Sequence, residues 1–179
     1  MMILKNGNIV LRNFQITDKV RIAQLCNNKK IWDNVRDFLP FPYTEDDAEE
    51  FIEICCEENP QLTFVIEFEN KLSGVIGLIQ QSDVYRLTAE VGYWIGESYW
   101  GKGIATKALN LISNYGFNEL KLVRIYSGVF DFNKASQRVM EKAGYSHEGV
   151  FRKSVFKNNN ILDEYRYAKL NPDESFSTK

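Results

Sequence analysis

Residues Tyr99, Trp100, Gly101, Lys102, Gly103, Ile104, Ala105 and Thr106 follow a strand-like run at 89–95 and open a run of helical period. A turn with two closely spaced glycines at a helix start suits anion chemistry. Gly101 and Gly103 can take backbone angles closed to other residues and let the main chain approach a phosphate. The unpaired first-turn N–H groups and the helix dipole favour negative charge there, and Lys102 adds a local cation. An ordinary strand-to-helix turn would use the same residues. Two other phosphate loops are excluded: a Walker loop needs Ser or Thr directly after Gly-Lys, where Gly103 stands, and a dinucleotide fingerprint needs a third glycine where Thr106 stands.

Hydrophobic periodicity predicts the elements that must position this turn. Residues 9–14 alternate like a strand, and Thr17 and Asp18 can cap a helix to about 27. Pro40 and Pro42 mark an irregular connection. Thr44 opens a second helix with Asp46 and Asp47 in its first turn, stopped by Asn59 and Pro60. Strands are expected at 62–68, 74–80 and 85–95, with turns at 69–71 and 81–83. Behind the glycine turn, Ala105, Leu109, Ile112, Tyr115 and Phe117 fall near one helical face. A strand at 122–129, a helix at 133–143 closed by Gly144, and two antiparallel strands around 157–160 complete an α+β order.

A chain of 179 residues, 44% hydrophobic and 26% charged, predicts one well-packed domain over residues 1–170 and a loose polar tail at 171–179. A formal net charge of -2 excludes a general electrostatic footprint for nucleic acid or membrane. The apolar stretches fall far short of the roughly 20 residues of a spanning helix, and the first eight residues lack the apolar core of a signal peptide. A cytoplasmic protein is expected. Cys26, Cys55 and Cys56 have no metal-ligand spacing, and His147 is the one histidine. They read as small apolar fillers on helices, with no disulfide and no metal site.

Four ordered blocks carry a resemblance: Glu90-Val-Gly-Tyr-Trp-Ile95, Trp100-Gly-Lys-Gly-Ile-Ala-Thr106, Asn133-Lys-Ala-Ser136 and Glu141-Lys-Ala-Gly-Tyr145. From about residue 9 to 170 the chain resembles the GNAT superfamily of acetyl-CoA-dependent N-acetyltransferases, and most of all its ribosomal-protein alanine/serine N-acetyltransferases. The resemblance implies a mixed, mostly antiparallel sheet of about seven strands with about four helices, split between its fourth and fifth main strands. Pantetheine would lie in that split and bond the fourth strand as an added strand does. It implies backbone contacts from Trp94 and Ile95, and a pyrophosphate cradle made by Gly101, Lys102, Gly103, Ile104, Ala105 and Thr106. Asn133 and Ser136 are implied to face the cofactor. Read by themselves, the Trp94 side chain suits core packing and Asn133 suits a helix cap.

Acyl transfer from a thioester to an amine requires the amine to lose a proton and the sulfur to leave. An α-amino group titrates near about 8 and a lysine near about 10.4, so an N-terminal amine needs the less help. Glu90, where the family often places a carboxylate, is the candidate base; alone it reads as a solvent-facing strand glutamate. A thiol with a pKa near about 8.5 leaves readily, so a general acid is helpful and not essential. Much of the superfamily places its Tyr donor where this chain has Met140. The ribosomal-protein branch pairs a Ser, here Ser136, with a Glu where Val155 stands.

On the acceptor side, residues 32–43 resemble the wall formed in that branch, with Trp32 and Tyr43 as contact candidates and Phe38 and Phe41 read as core. The expected activity is acetyl transfer to a primary amine (a protein N-terminus, a polyamine or a small-molecule amine) by direct attack in a ternary complex. A homodimer is open. The alternative is a non-catalytic CoA-binding sensor or interaction module, favoured by Met140 and Val155 and opposed by the intact glycine loop and Glu90.

Overall fold

The structure is a computed structural model that describes residues 3–172. The described residues form eight strands: β1 Ile3–Asn6, β2 Ile9–Arg12, β3 Thr63–Phe68, β4 Lys71–Gln80, β5 Thr88–Ile95, β6 Arg124–Phe130, β7 Ser146–Lys157 and β8 Asn160–Leu170. Five helices accompany them: α1 Lys19–Cys26, α2 Lys29–Trp32, α3 Glu45–Cys56, α4 Ile104–Asn118 and α5 Lys134–Lys142. The strands bond in the order β1-β2-β3-β4-β5-β6-β8-β7. The sheet is mostly antiparallel, with β5 and β6 as a parallel pair.

Both counts exceed expectation by one, for local reasons. β1 is mostly exposed and lacks an apolar alternation, yet it pairs with β2 through the tight turn at Gly7, whose φ is +60. α2 is a single turn, too short for a period to show. The strand expected at 85–95 starts at Thr88, because residues 83–85 form a short helical turn. The expected tail, apart from Asn171 and Pro172, lies outside the described residues.

The chain forms two compact units, and β4, β5 and α4 contribute residues to both. The first holds the described residues up to Gly77 with Tyr93–Leu111. Its core gathers Phe14, Ile22, Cys26, Ile31, Tyr43, Ile52, Cys55, Val65, Val75 and Trp94. Fully burying each large aliphatic side chain contributes about 1.5–3 kcal/mol. At its edge Arg12 donates to Asp18 at 2.7 and 2.8 Å and to Glu67 at 2.7 Å, joining β2, β3 and the start of α1. A half-buried guanidinium is tolerable there because carboxylates take its donors.

The second unit holds Leu78–Gly92 and the described residues from Ile112 onward. Ile112, Tyr115 and Phe117 are buried, as their helical spacing predicts. Gly116 lets the helix approach the sheet, since a Cβ there would meet Ile125 Cδ1 at 2.8 Å. Gly144, at φ +80, closes α5. The β5–β6 ladder runs from Thr88↔Arg124 to Glu90↔Tyr126 and ends, whereas β6 continues along β8 to Phe130↔Glu164. That break is the split expected between the fourth and fifth main strands.

Phe38 and Phe41, expected in the core, lie at the surface. Phe38 is 99% exposed and Phe41 42% exposed, so neither is a core residue. The connection between α2 and α3 turns outward around Pro40 and Pro42, which hold the chain away from helical packing.

Candidate functional site

In the first unit, the chain leaves β5 through Gly96, whose N–H donates to Ser73 O at 2.8 Å, and passes a short turn at Glu97–Tyr99. Trp100 then folds back, its Nε1–H donating to Ile95 O at 2.7 Å. Gly101 and Gly103 sit at φ +76 and +73, a region that side-chain-bearing residues avoid, and nothing lies within 4 Å of where a Cβ would stand on either. The Lys107 N–H donates to Gly103 O at 3.3 Å, so the N–H groups of Ile104, Ala105 and Thr106 belong to the first turn, which has no carbonyl behind it. This open, dipole-headed turn fits a pyrophosphate. Lys102 Nζ rides over the rings of Tyr99 and Phe68 at 5.4 and 5.9 Å.

Trp94 fills the core with its indole, and its carbonyl oxygen faces Gly74, where a Cβ would meet it at 2.2 Å. With the Gly96-to-Ser73 bond and the Gln81 N–H donating to Thr88 O, the even-numbered residues of β5 turn their peptide groups toward β4. The two-residue period of a strand then turns the peptides of Tyr93 and Ile95 the other way. The Trp94 peptide therefore bonds toward β4, and on the other edge of the strand at this level lie the peptides of Tyr93 and Ile95. The register with β4 decides which peptides of β5 face outward.

The acceptor-side candidates separate. Trp32 ends α2, donates from Nε1 to Leu39 O at 3.0 Å and packs on Phe41 with ring centroids 5.6 Å apart. Tyr43 is a buried core residue whose hydroxyl donates to Asp47 O at 3.4 Å, and burial raises its pKa above the usual phenol range. α2 is tied to the glycine turn's approach: Asn28 Oδ1 accepts the Lys30 N–H, Asn28 Nδ2 donates to Glu97, both at 2.8 Å, and Lys30 pairs with Glu97. Those partners hold the Glu97 carboxyl below the usual carboxylate range, Lys30 foremost. Cys26 and Cys55 are buried fillers, with thiols pushed up by burial to about 12, while Cys56 is exposed.

In the second unit, Glu90 is half-buried on β5 and stands in register with Tyr126. Asn133 caps α5, its Oδ1 accepting the Ser136 N–H at 3.0 Å, and Ser136 is half-buried one turn in. Met140 is fully buried, and Tyr145 bonds Ser113 with 2.8 Å between the two oxygens. Val155 stands opposite Leu162 in the β7–β8 ladder. Among the described residues no group of three or more His, Cys, Asp or Glu could hold a metal, and no helix is long and apolar enough to cross a membrane.

Residues 8–146 match the model of the Acetyltransferase (GNAT) domain. The Bacillus subtilis protein named probable N-acetyltransferase YjcK is 42% identical over 106 residues, which is 59% of this chain and 59% of that one, so the match spans under two thirds of that relative. The crystal structure of a GNAT-family acetyltransferase from Bacillus anthracis superposes with a TM-score of 0.83 at 29% identity, covering 96% of this chain and all of that one. Spermidine N-acetyltransferase from Vibrio cholerae, solved with CoA and spermine, superposes at 0.78 with 28% identity over 93% of this chain and 97% of that one. The glycine turn at the head of α4, the three-pair β5–β6 ladder and these similarities agree, and the chain belongs to the GNAT acetyltransferase family.

Proposed function

We propose that this protein is a cytoplasmic acetyl-CoA-dependent N-acetyltransferase that moves an acetyl group to a primary amine by direct attack in a ternary complex. Residues 1–170 would act as one catalytic domain; the family match includes parts of both compact units. The observation that carries the reading is the open turn of Gly101 and Gly103 at the head of α4. Gly101, Lys102, Gly103, Ile104, Ala105 and Thr106 would hold the pyrophosphate, and the outward peptide of Tyr93 together with the Ile95 N–H, whose carbonyl is held by Trp100, would hold pantetheine. When bound, acetyl-CoA supplies an acetyl group activated as a thioester. Glu90 would take the proton from the acceptor ammonium, and Ser136 would hold a proton at Oγ for the departing sulfur. Asn133 fixes the start of α5 and thereby places Ser136. Trp32 remains the acceptor-side contact of choice, while Tyr43, buried in the core, would act only as packing. The Vibrio cholerae relative supports an amine acceptor.

Calorimetric titration tests the cradle. Acetyl-CoA should bind more tightly than acetyl-pantetheine, which lacks the pyrophosphate, and Gly103→Val should remove most of that difference by closing the positive-φ turn. Equal affinities for the two thioesters would overturn the cradle. Release of CoA on adding a primary amine separates the enzyme from a non-catalytic CoA binder.

A further inference from the structure

Beyond Glu90, the same face of the second unit carries a charged pair that its core does not require. Gly128 stands opposite Arg166 in the β6–β8 ladder, and Glu164 lies two residues before Arg166 on β8, so all three share a face. Tyr126, in register with Glu90, is two residues from Gly128 on β6 and belongs to that face too. The Glu164 carboxylate lies in the space a side chain at 128 would take: a Cβ there would meet its Cδ and Oε2 at 2.3 Å. Arg166 donates to Glu164 Oε1 from Nε at 3.1 Å and from Nη2 at 2.5 Å. Its guanidinium lies over Tyr126 at 4.7 Å and Phe151 at 4.5 Å. Next to it Arg124 holds Glu148 with both terminal nitrogens.

A largely buried ion pair is costly and adds little to stability over an apolar pair of the same volume. What it leaves exposed is directional. Both acids are engaged: Glu164 by Arg166 through Oε1, with its Oε2 turned onto Gly128, and Glu148 by Arg124. The guanidinium of Arg166 is the more exposed member, with side-chain exposure of 22% against 11% for Glu164, and its Nη1 edge takes no part in the bonds to Glu164. An arginine edge can only donate. A ligand on this face therefore meets a planar donor fixed by an acid and two rings, suited to an anionic oxygen group. β5 and β8 are two strand spacings apart, on the order of 10 Å. That separation suits a small acceptor with its amine at Glu90 and its anionic group several bonds away.

We propose that Arg166, held by Glu164 over Gly128, receives an anionic group on the acceptor, so that the preferred acceptors are amines that also bear a carboxylate or similar group, rather than simple polyamines. This rests on the proposed acetyl transfer to a primary amine held near Glu90, whether or not Glu90 itself takes the proton.

The test uses matched amines that differ by one carboxylate: lysine with cadaverine, and ornithine with 1,4-diaminobutane. For the intact protein, kcat/KM should favour the carboxylate-bearing member of each pair by about tenfold, the scale of one charge-assisted hydrogen bond. Arg166→Gln should erase that ratio while leaving KM for acetyl-CoA unchanged, and Arg166→Lys should keep part of it. Gly128→Ala, which displaces the Glu164 carboxylate without removing a charge, should also narrow the ratio and guards against a misfolded arginine variant. A ratio near one, a preference for the diamines, a ratio untouched by Arg166→Gln, or no turnover of any of the four would overturn the proposal. If Glu90→Gln leaves rates intact while Arg166→Gln collapses the ratio, the base assignment fails and the recognition stands.

Discussion

The Trp100 indole N–H and the Ile95 carbonyl, 2.7 Å apart, tie the end of β5 to the mouth of the glycine turn. The bond spans five residues and fixes where the turn begins relative to the strand that carries the outward peptides.

Trp100→Phe keeps a ring and removes the donor. The expected cost is about 1 kcal/mol in urea unfolding, the usual worth of one such bond, with several-fold weaker acetyl-CoA binding by calorimetry. An unfolding midpoint and an affinity both equal to the parent would show that the turn holds its shape without the indole.

Glu90→Gln should lower turnover on the order of 10²-fold at pH 6 to 7. High pH should partly restore it, because more acceptor amine is then already neutral. A pH–rate profile that superimposes on the parent's would return Glu90 to the role of an ordinary strand residue.

Ser136→Ala should slow acetyl transfer modestly and leave acetyl-CoA affinity nearly intact, since a thiol of pKa near about 8.5 leaves with little help. The Ser136 backbone N–H still reaches the Asn133 cap in this variant, so α5 keeps its start. Asn133→Ala, by contrast, should cost about 1 kcal/mol of stability through the lost cap, and Asn133→Asp should recover most of it. Comparing thermal unfolding of the three proteins separates helix chemistry from catalysis; equal falls in rate and affinity for Ser136→Ala would make that serine a binding group.

Acid stability should carry a signature of α3. The Thr44 hydroxyl, first, and its backbone N–H hold the Asp47 carboxyl below the usual carboxylate range. Protons therefore bind the unfolded chain more readily. The cap's contribution is complete above the unfolded carboxylate pKa of about 3.9 and is lost as pH falls through the lower folded value. Asp47→Asn should be less stable than the parent at pH 7 and lose less on acidification, as read by urea midpoints from pH 7 to 3. Parallel curves for the two proteins would refute the assignment.

What the chain reveals on inspection is what local chemistry dictates. The positive angles of Gly101 and Gly103, the Asn133 cap and the buried row Leu109, Ile112, Tyr115 and Phe117 depend on near neighbours in sequence, and each was legible. Features set by a distant partner were not. Whether Trp94 or Tyr93 offers its peptide depends on the register with β4, and whether Phe38 is buried depends on what stands opposite it. β1 exists because β2 offers it an edge, not because its own residues alternate. The pair at Glu164 and Arg166 was equally hidden, since only the ladder reveals the bare spot at Gly128 beneath it.

Asn28 uses both ends of one amide, accepting from Lys30 N–H and donating to Glu97. Aspartate would keep the first bond and set a second negative charge against Glu97; serine would keep the first and fall short of the second. Glutamine carries the same two atoms on a longer stem and misplaces both. Asparagine at position 28 thus does with one side chain what aspartate, serine and glutamine each do only in part, and a library randomised there and screened for acetyl-CoA turnover should be enriched in asparagine.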